Sequence, residues 1–160
     1  MSIRREGREA AIQFLYQLDL NATTPAEIAD PFWLLQGSER TEAVGLKARA
    51  FADELIAGVA AHRDEIDRQI KGCLVNFDFG RLAAVDRNVL RVAVYELNYV
   101  PALAPAIVIN EAIEIVKKFG GEKSGGFVNG ILDRIKKDLG LNPRGPAAGY
   151  PQVGPTEWQR

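Results

Sequence analysis

The stretch INEAIEIVKKFGGEKSGGFVNGILD, residues 109–133, holds two apolar segments on either side of a glycine-rich centre. The upstream segment, from Pro105 to Phe119, has the spacing of a helix. Gly120 stands where a left-handed C-cap belongs. Ser124 is placed to cap a last helix that runs to Leu139 and is closed by Gly140. Two helices joined by a short junction is the unit of a helical bundle, and the remaining sequence can be tested against it.

Outward from this pair the same period recurs. Leu82 to Val100 carries Val85, Val89, Leu90, Val92, Ala93 and Leu97, apolar on more than one side, which places that helix centrally. Asp64 to Gly72 supplies Ile66 and Ile70 one turn apart, a short helix. Thr41 to Ala61 sets Phe51, Leu55, Ile56 and Val59 on one face. Arg4 to Leu20 does the same with Ala11, Phe14, Leu15 and Leu18. Thr24-Pro25-Ala26-Glu27 is a helix start, with Thr as cap and Pro at the first helical position. Pro31 keeps that helix short or bent. No strand alternation of useful length appears. The tail over 141–160 has four Pro and three Gly without periodicity, and is expected to be disordered. The expectation is an all-α fold, one domain over 1–140 followed by a Pro/Gly-rich tail.

At 160 residues, with 47% apolar and 26% charged, the composition is that of an ordinary globular domain. The longest apolar run, Val100 to Ile109, is broken by Pro101 and Pro105 and is too short to span a bilayer. The start, MSIRREGREA, has no apolar signal core, so a cytoplasmic protein without membrane partners is expected. The single cysteine, Cys73, excludes an internal disulfide and reads as a buried, inert thiol. A net charge of −1 demands no polyanionic partner, so a nucleic-acid role has to rest on local patches.

Catalytic chemistry finds little support. His62 is the only histidine, which leaves neither a metal-ligand set nor a nucleophile–base pair, and its place near a helix end reads as solvated or capping. Glu42, Asp53, Glu54, Asp64, Glu65 and Asp67 fall mostly on polar faces of predicted helices. A Walker loop needs Gly-x4-Gly-Lys-Ser/Thr after a strand; here Gly121-x4-Gly126 is followed by Phe127 and preceded by a helix. No enzyme, no cofactor and no metal are expected.

Two readings of the junction remain open. In one, Gly120 and Ser124 are caps while Phe119 and Phe127 are core, and composition favours this one. In the other, the amides at Ser124 and the closeness allowed by Gly125 and Gly126 meet a phosphate. Lys117, Lys118 and Lys123 then add charge, and Phe119 and Phe127 offer ring faces. A second basic patch lies at the N-terminus. There Arg5, Glu9, Ile12 and Tyr16 share a helical stripe, with Arg4 and Arg8 beside it. Arginines in a first turn oppose the helix dipole, which mildly favours an external anion.

RREGREAAIQFLYQLDLN at the start, ELIAGV (54–59), AAVDRNVLRVAVYEL (83–97) and the 109–133 stretch resemble, in order and spacing, the NusB family of transcription antitermination factors. The resemblance runs from about Arg4 to Leu139. It implies a compact all-helical bundle of two packed subbundles and a non-enzymatic role. Family members bind boxA-type single-stranded RNA together with NusE, a ribosomal small-subunit protein. They act in the RNA polymerase elongation complex with other Nus factors, notably on ribosomal RNA operons.

Carried over by position, the resemblance assigns RNA contacts to Arg4, Arg5, Arg8 and Tyr16. It assigns them also to Lys118, Phe119, Gly120, Lys123, Ser124 and Phe127, and gives Asp86 and Arg87 to the NusE face. Tyr95, Glu96, Asn110, Glu111, Asn129 and Gly130 are expected to be architectural, buried with satisfied hydrogen bonds. Two alternatives stand beside it: a homodimeric interaction protein, and the NusB-like part of a ribosomal RNA cytosine methyltransferase. The second needs a catalytic domain that is not in the sequence.

Overall fold

The computed structural model describes residues 2–21, 27, 29, 32, 42–75 and 77–141. Thr24 and Pro25 of the expected helix start, and the tail beyond Leu141, lie outside the described residues. Six α-helices are present among the described residues: α1 (Ile3–Leu20), α2 (Glu42–Ala61), α3 (Arg63–Gly72), α4 (Ala84–Tyr99), α5 (Pro105–Phe119) and α6 (Ser124–Asp138). A 3₁₀ turn, Phe79–Arg81, precedes α4 and has no counterpart in the periodicity. The helices group into two compact units, Met1–Ala61 and His62–Arg160. No helix among the described residues is long and apolar enough to cross a membrane.

In the first unit, Ser2 caps α1 by accepting the Arg5 N–H at 3.1 Å. The predicted apolar face turns inward, with Ala11, Phe14 and Leu15 buried. From α2, Ala48, Ala52, Leu55 and Val59 are buried. The two helices come close at Gly7, where a Cβ would lie 2.9 Å from the Ala48 carbonyl oxygen and 3.3 Å from Phe51 Cβ. Phe32 sets its ring edge-on to Phe14, with centroids 5.3 Å apart.

The second unit is built around α4, which packs against α3, α5 and α6, as its two-sided apolar pattern requires. Ile66 and Ile70 of α3 and Val89, Leu90, Val94 and Leu97 of α4 are buried. Asp67, expected on a solvated face, instead holds the buried Arg91. Nε donates to Oδ1 at 2.9 Å and Nη2 to Oδ2 at 3.0 Å. Arg91 also donates to Asn88 at 3.1 Å, and Gln69 and Asn98 exchange side-chain amide bonds at 3.1 and 2.6 Å.

Helix α6 closes as the sequence predicts. Gly140 has φ 67°, its N–H bonds the Lys137 carbonyl, and the Leu141 N–H bonds that of Lys136, a Schellman ending. Cys73 is buried, and desolvation pushes its thiol pKa up. His62 sits at the N-cap of α3 without a side-chain cap bond; it stacks on Tyr99 with centroids 4.0 Å apart.

Of the residues expected to be architectural, Glu96 is buried, whereas Asn110 and Asn129 are exposed. Close packing at Gly130 is also overturned, because an added Cβ there meets nothing within 4 Å. These positions lie on the solvent sides of α5 and α6, a side that apolar neighbours in the sequence do not reveal.

Candidate nucleic-acid interface

The predicted residues fall into two groups, one in each unit. In the first unit, Arg4 is exposed, Arg5 half-buried and Arg8 only 4% exposed. The guanidinium carbons of Arg4 and Arg8 lie 5.6 and 5.2 Å from the centroid of the Phe51 ring. Phe51, read from the sequence only as part of an apolar face, is thus the surface on which two of the arginines rest. Gly7, between them, allows α2 to approach closely enough for that contact. The stripe predicted beside the arginines is largely enclosed, since Glu9 and Ile12 are buried and Tyr16 is half-buried.

In the second unit, the α5–α6 junction carries the rest. Lys118 and Lys123 are exposed, Phe119 is 37% exposed with the Lys118 ammonium 5.1 Å from its ring centroid, and Phe127 is half-buried. Lys117 reaches Glu114 at 3.6 Å on the surface. Alongside runs an open groove of about 440 Å³, walled by Ile113 and Lys117 of α5 and by Gly125, Gly126 and Asn129 of α6, with Gly120, Gly121 and Glu122 at its end. A Cβ on Gly126 would meet nothing within 4 Å, so a side chain can start there without a clash.

The caps expected at the junction are built differently. Gly120 is extended, with φ −97° and ψ −175°, and is not left-handed. It is glycine for space: a Cβ would stand 2.7 Å from the Val116 carbonyl oxygen, 2.9 Å from Val116 Cγ2 and 3.1 Å from Ser124 Cβ. Ser124 does not cap α6 but begins it, with Lys123 at the N-cap. Its buried hydroxyl accepts the Gly121 N–H at 3.1 Å and donates to Asp86 Oδ2 at 3.0 Å.

Asp86 is thus held by the junction. It is 8% exposed, sits in the first turn of α4, and ties that turn to the junction. Its Oδ1 is buried without a hydrogen-bond partner. Arg87 stays half-buried; it donates to the Leu82 carbonyl at 3.4 Å and lies 5.9 Å from the Phe79 ring centroid. A charged pair written Asp-Arg looks like a surface feature, and only the long-range partner of Asp86 shows otherwise.

Among the described residues no three His, Cys, Asp or Glu side chains cluster to hold a metal. What the geometry offers is cations, ring faces and an open backbone, which suits a single-stranded polyanion.

Residues 5–137 match the NusB family. The chain belongs to the NusB family. It is 44% identical over 135 residues to the transcription antitermination protein NusB of Myxococcus xanthus, covering 84% of this chain and 95% of that protein. It is 48% identical over 139 residues to its namesake from Desulfotalea psychrophila, covering 85% and 96%. A solved structure of the antitermination factors NusB and NusE in complex with double-stranded RNA contains a chain that is 32% identical, with TM-score 0.73. The match covers 86% of this chain and 98% of that one. The NusB match ends just before the α6 C-terminus and includes every residue of both groups except Arg4.

Proposed function

We propose that this chain is a cytoplasmic transcription antitermination factor. In this reading it binds boxA-type single-stranded nascent RNA together with NusE and helps RNA polymerase, in a complex with other Nus factors, to resist termination on ribosomal RNA operons. It is a binding protein and not an enzyme. The observation that carries the reading is the α5–α6 junction: exposed lysines and a partly exposed phenylalanine beside an open, glycine-lined groove, in a chain of the NusB family. The exposed Arg4 and the half-buried Arg5, at the start of α1, supply further phosphate contacts. Arg8, packed on Phe51, orders that start. Asp86 and Ser124 hold the junction in shape, and the first turn of α4 that carries Asp86 and Arg87 is assigned to NusE.

Gel shifts with boxA-type, scrambled and double-stranded RNA, at two salt concentrations and with or without NusE, test this. Binding is expected to be tightest for boxA-type single strands, stronger with NusE, and weaker at high salt, since each phosphate contact releases counterion. Equal competition by scrambled RNA would defeat the specific reading, and absence of binding under every condition would defeat the RNA reading altogether.

A further inference from the structure

Phe77 is left unexplained by the RNA contacts assigned above. It lies just before the 3₁₀ turn, is 52% exposed, and its ring centroid stands 6.1 Å from that of Phe127, with 41° between the planes. A solitary half-exposed phenylalanine needs no explanation. This one joins its ring to a candidate RNA contact on α6, so two distant parts of the chain make one two-ring surface.

The segments that carry the two rings also carry cations. On the α6 side, the exposed Lys123 is the N-cap of the helix that carries Phe127. On the other side, Phe79 has the Lys71 ammonium at 5.1 Å and the Arg87 guanidinium at 5.9 Å from its ring centroid, and Arg81 is exposed. The acid between Phe77 and Phe79 is committed to the backbone, since Asp78 Oδ1 accepts the Gly80 N–H at 3.0 Å. Glu122 is the exposed acid of the junction. Rings flanked by cations fit a nucleic-acid strand better than an apolar protein helix, which would meet desolvated charge there.

We propose that Phe77 is a second base-stacking residue, holding the nucleobase next to the one carried by Phe127 on the same RNA strand. The proposal rests on the RNA-binding reading above. Ring planes 41° apart present non-parallel faces, which match two bases splayed away from each other rather than a continuous stack.

The test measures affinity for a fluorescent boxA-type single-stranded RNA by anisotropy, with NusE present, for wild type, Phe77→Ala, Phe77→Leu, Phe77→Trp and Phe127→Ala. Loss of one stacked base weakens binding by about five- to a hundredfold. Phe77→Ala and Phe77→Leu are both expected to show such a loss, and Phe77→Trp to restore affinity, with thermal melting unchanged. Ultraviolet crosslinking of the RNA to wild-type protein, mapped by mass spectrometry, is expected to place a crosslink on Phe77 and needs no variant to fold.

Unchanged RNA affinity in Phe77→Ala beside a loss in Phe127→Ala overturns the proposal while leaving the RNA reading intact. So does a Phe77→Ala effect that Phe77→Leu repairs, which marks an apolar protein contact, or a weakening confined to NusE binding. Failure of the wild-type protein to bind RNA at all removes the RNA reading itself.

Discussion

The basic start of α1 and the α5–α6 junction both combine cations with aromatic rings, yet they are assembled in opposite ways. At the start of α1, charge is partly withdrawn: Arg8 is buried, and Arg4 and Arg8 share the Phe51 ring. At the junction, Lys118 and Lys123 are exposed while the polar groups beneath them, Ser124 and Asp86, are buried and bonded. The first site is ordered by packing its own cations, and the second by a hydrogen-bond relay that leaves Lys123 exposed and Lys118 at the surface over the Phe119 ring. A count of basic residues would rank the two alike, whereas burial separates a charge that organises a helix end from one that is available to a ligand.

Each region turns on one glycine that backbone atoms approach closely, and the largest effects are expected there. Gly120→Val would press a side chain onto the Val116 carbonyl oxygen, and Gly7→Val onto that of Ala48. Backbone cannot yield as a flexible side chain does, so each change is expected to cost about 1–3 kcal/mol in urea unfolding. A Gly120→Val protein of wild-type stability would show that the junction is looser than its contacts imply.

The relay is next in size. Ser124→Ala leaves Asp86 without the hydroxyl that Oδ2 accepts and the Gly121 N–H without its acceptor. Unpaired buried polar groups cost about 1–3 kcal/mol, so the melting temperature and the RNA affinity are expected to fall together. Phe51→Leu is the matching change in the first unit. It keeps apolar bulk but removes the ring under Arg4 and Arg8, and is expected to cost about 0.5–2 kcal/mol. If Ser124→Ala weakens RNA binding without lowering stability, the hydroxyl contacts RNA directly and the relay is not its main role.

Helix positions were legible because burial follows the 3.6-residue period. Pro105–Phe119, the paired Ile66 and Ile70, the central character of α4 and the glycine ending at Gly140 are all visible in the sequence. What stayed hidden depends on distance between remote residues. Gly120 looks like any helix-ending glycine until Val116 and Ser124 are seen around it. Asp67 and Arg91 are 24 residues apart, Asp86 and Ser124 are 38 apart, and no local pattern joins either pair. The ring contact of Phe77 with Phe127 is of the same kind.

Two further glycines separate stability from binding at the junction. Gly126 and Gly130 are exposed on α6, and an added Cβ at either meets nothing within 4 Å. Gly130→Ala is expected to stabilise the protein by about 0.5–1 kcal/mol through helix propensity alone. Gly126→Glu is expected to leave stability near wild type and to weaken RNA binding by about tenfold or more, because a carboxylate would face phosphate beside the groove. An unaffected affinity in Gly126→Glu would move the RNA path away from the groove and onto the rings.

The smallest effect is expected in the last turn of α4, at the other end of that helix from Asp86 and the junction, and serves as a control. Tyr99 donates its hydroxyl to Glu65 and lies in the aromatic group with His62 and Tyr95. Desolvation first, then the hydrogen bond to Glu65 and that residue's negative charge, hold the phenol pKa above its ordinary value. The folded protein therefore keeps this proton at pH values where the unfolded chain gives it up. Stability from this source is complete below the ordinary tyrosine pKa of about 10 and is lost progressively as pH rises above it. Tyr99→Phe removes the titration, so the melting temperature of wild type should fall more steeply than that of the variant above about pH 10. RNA affinity at neutral pH should be the same for both. Parallel melting curves would show that neither burial nor Glu65 raises the phenol pKa, and a change in RNA affinity would show that the α3–α4 aromatic group is coupled to the junction.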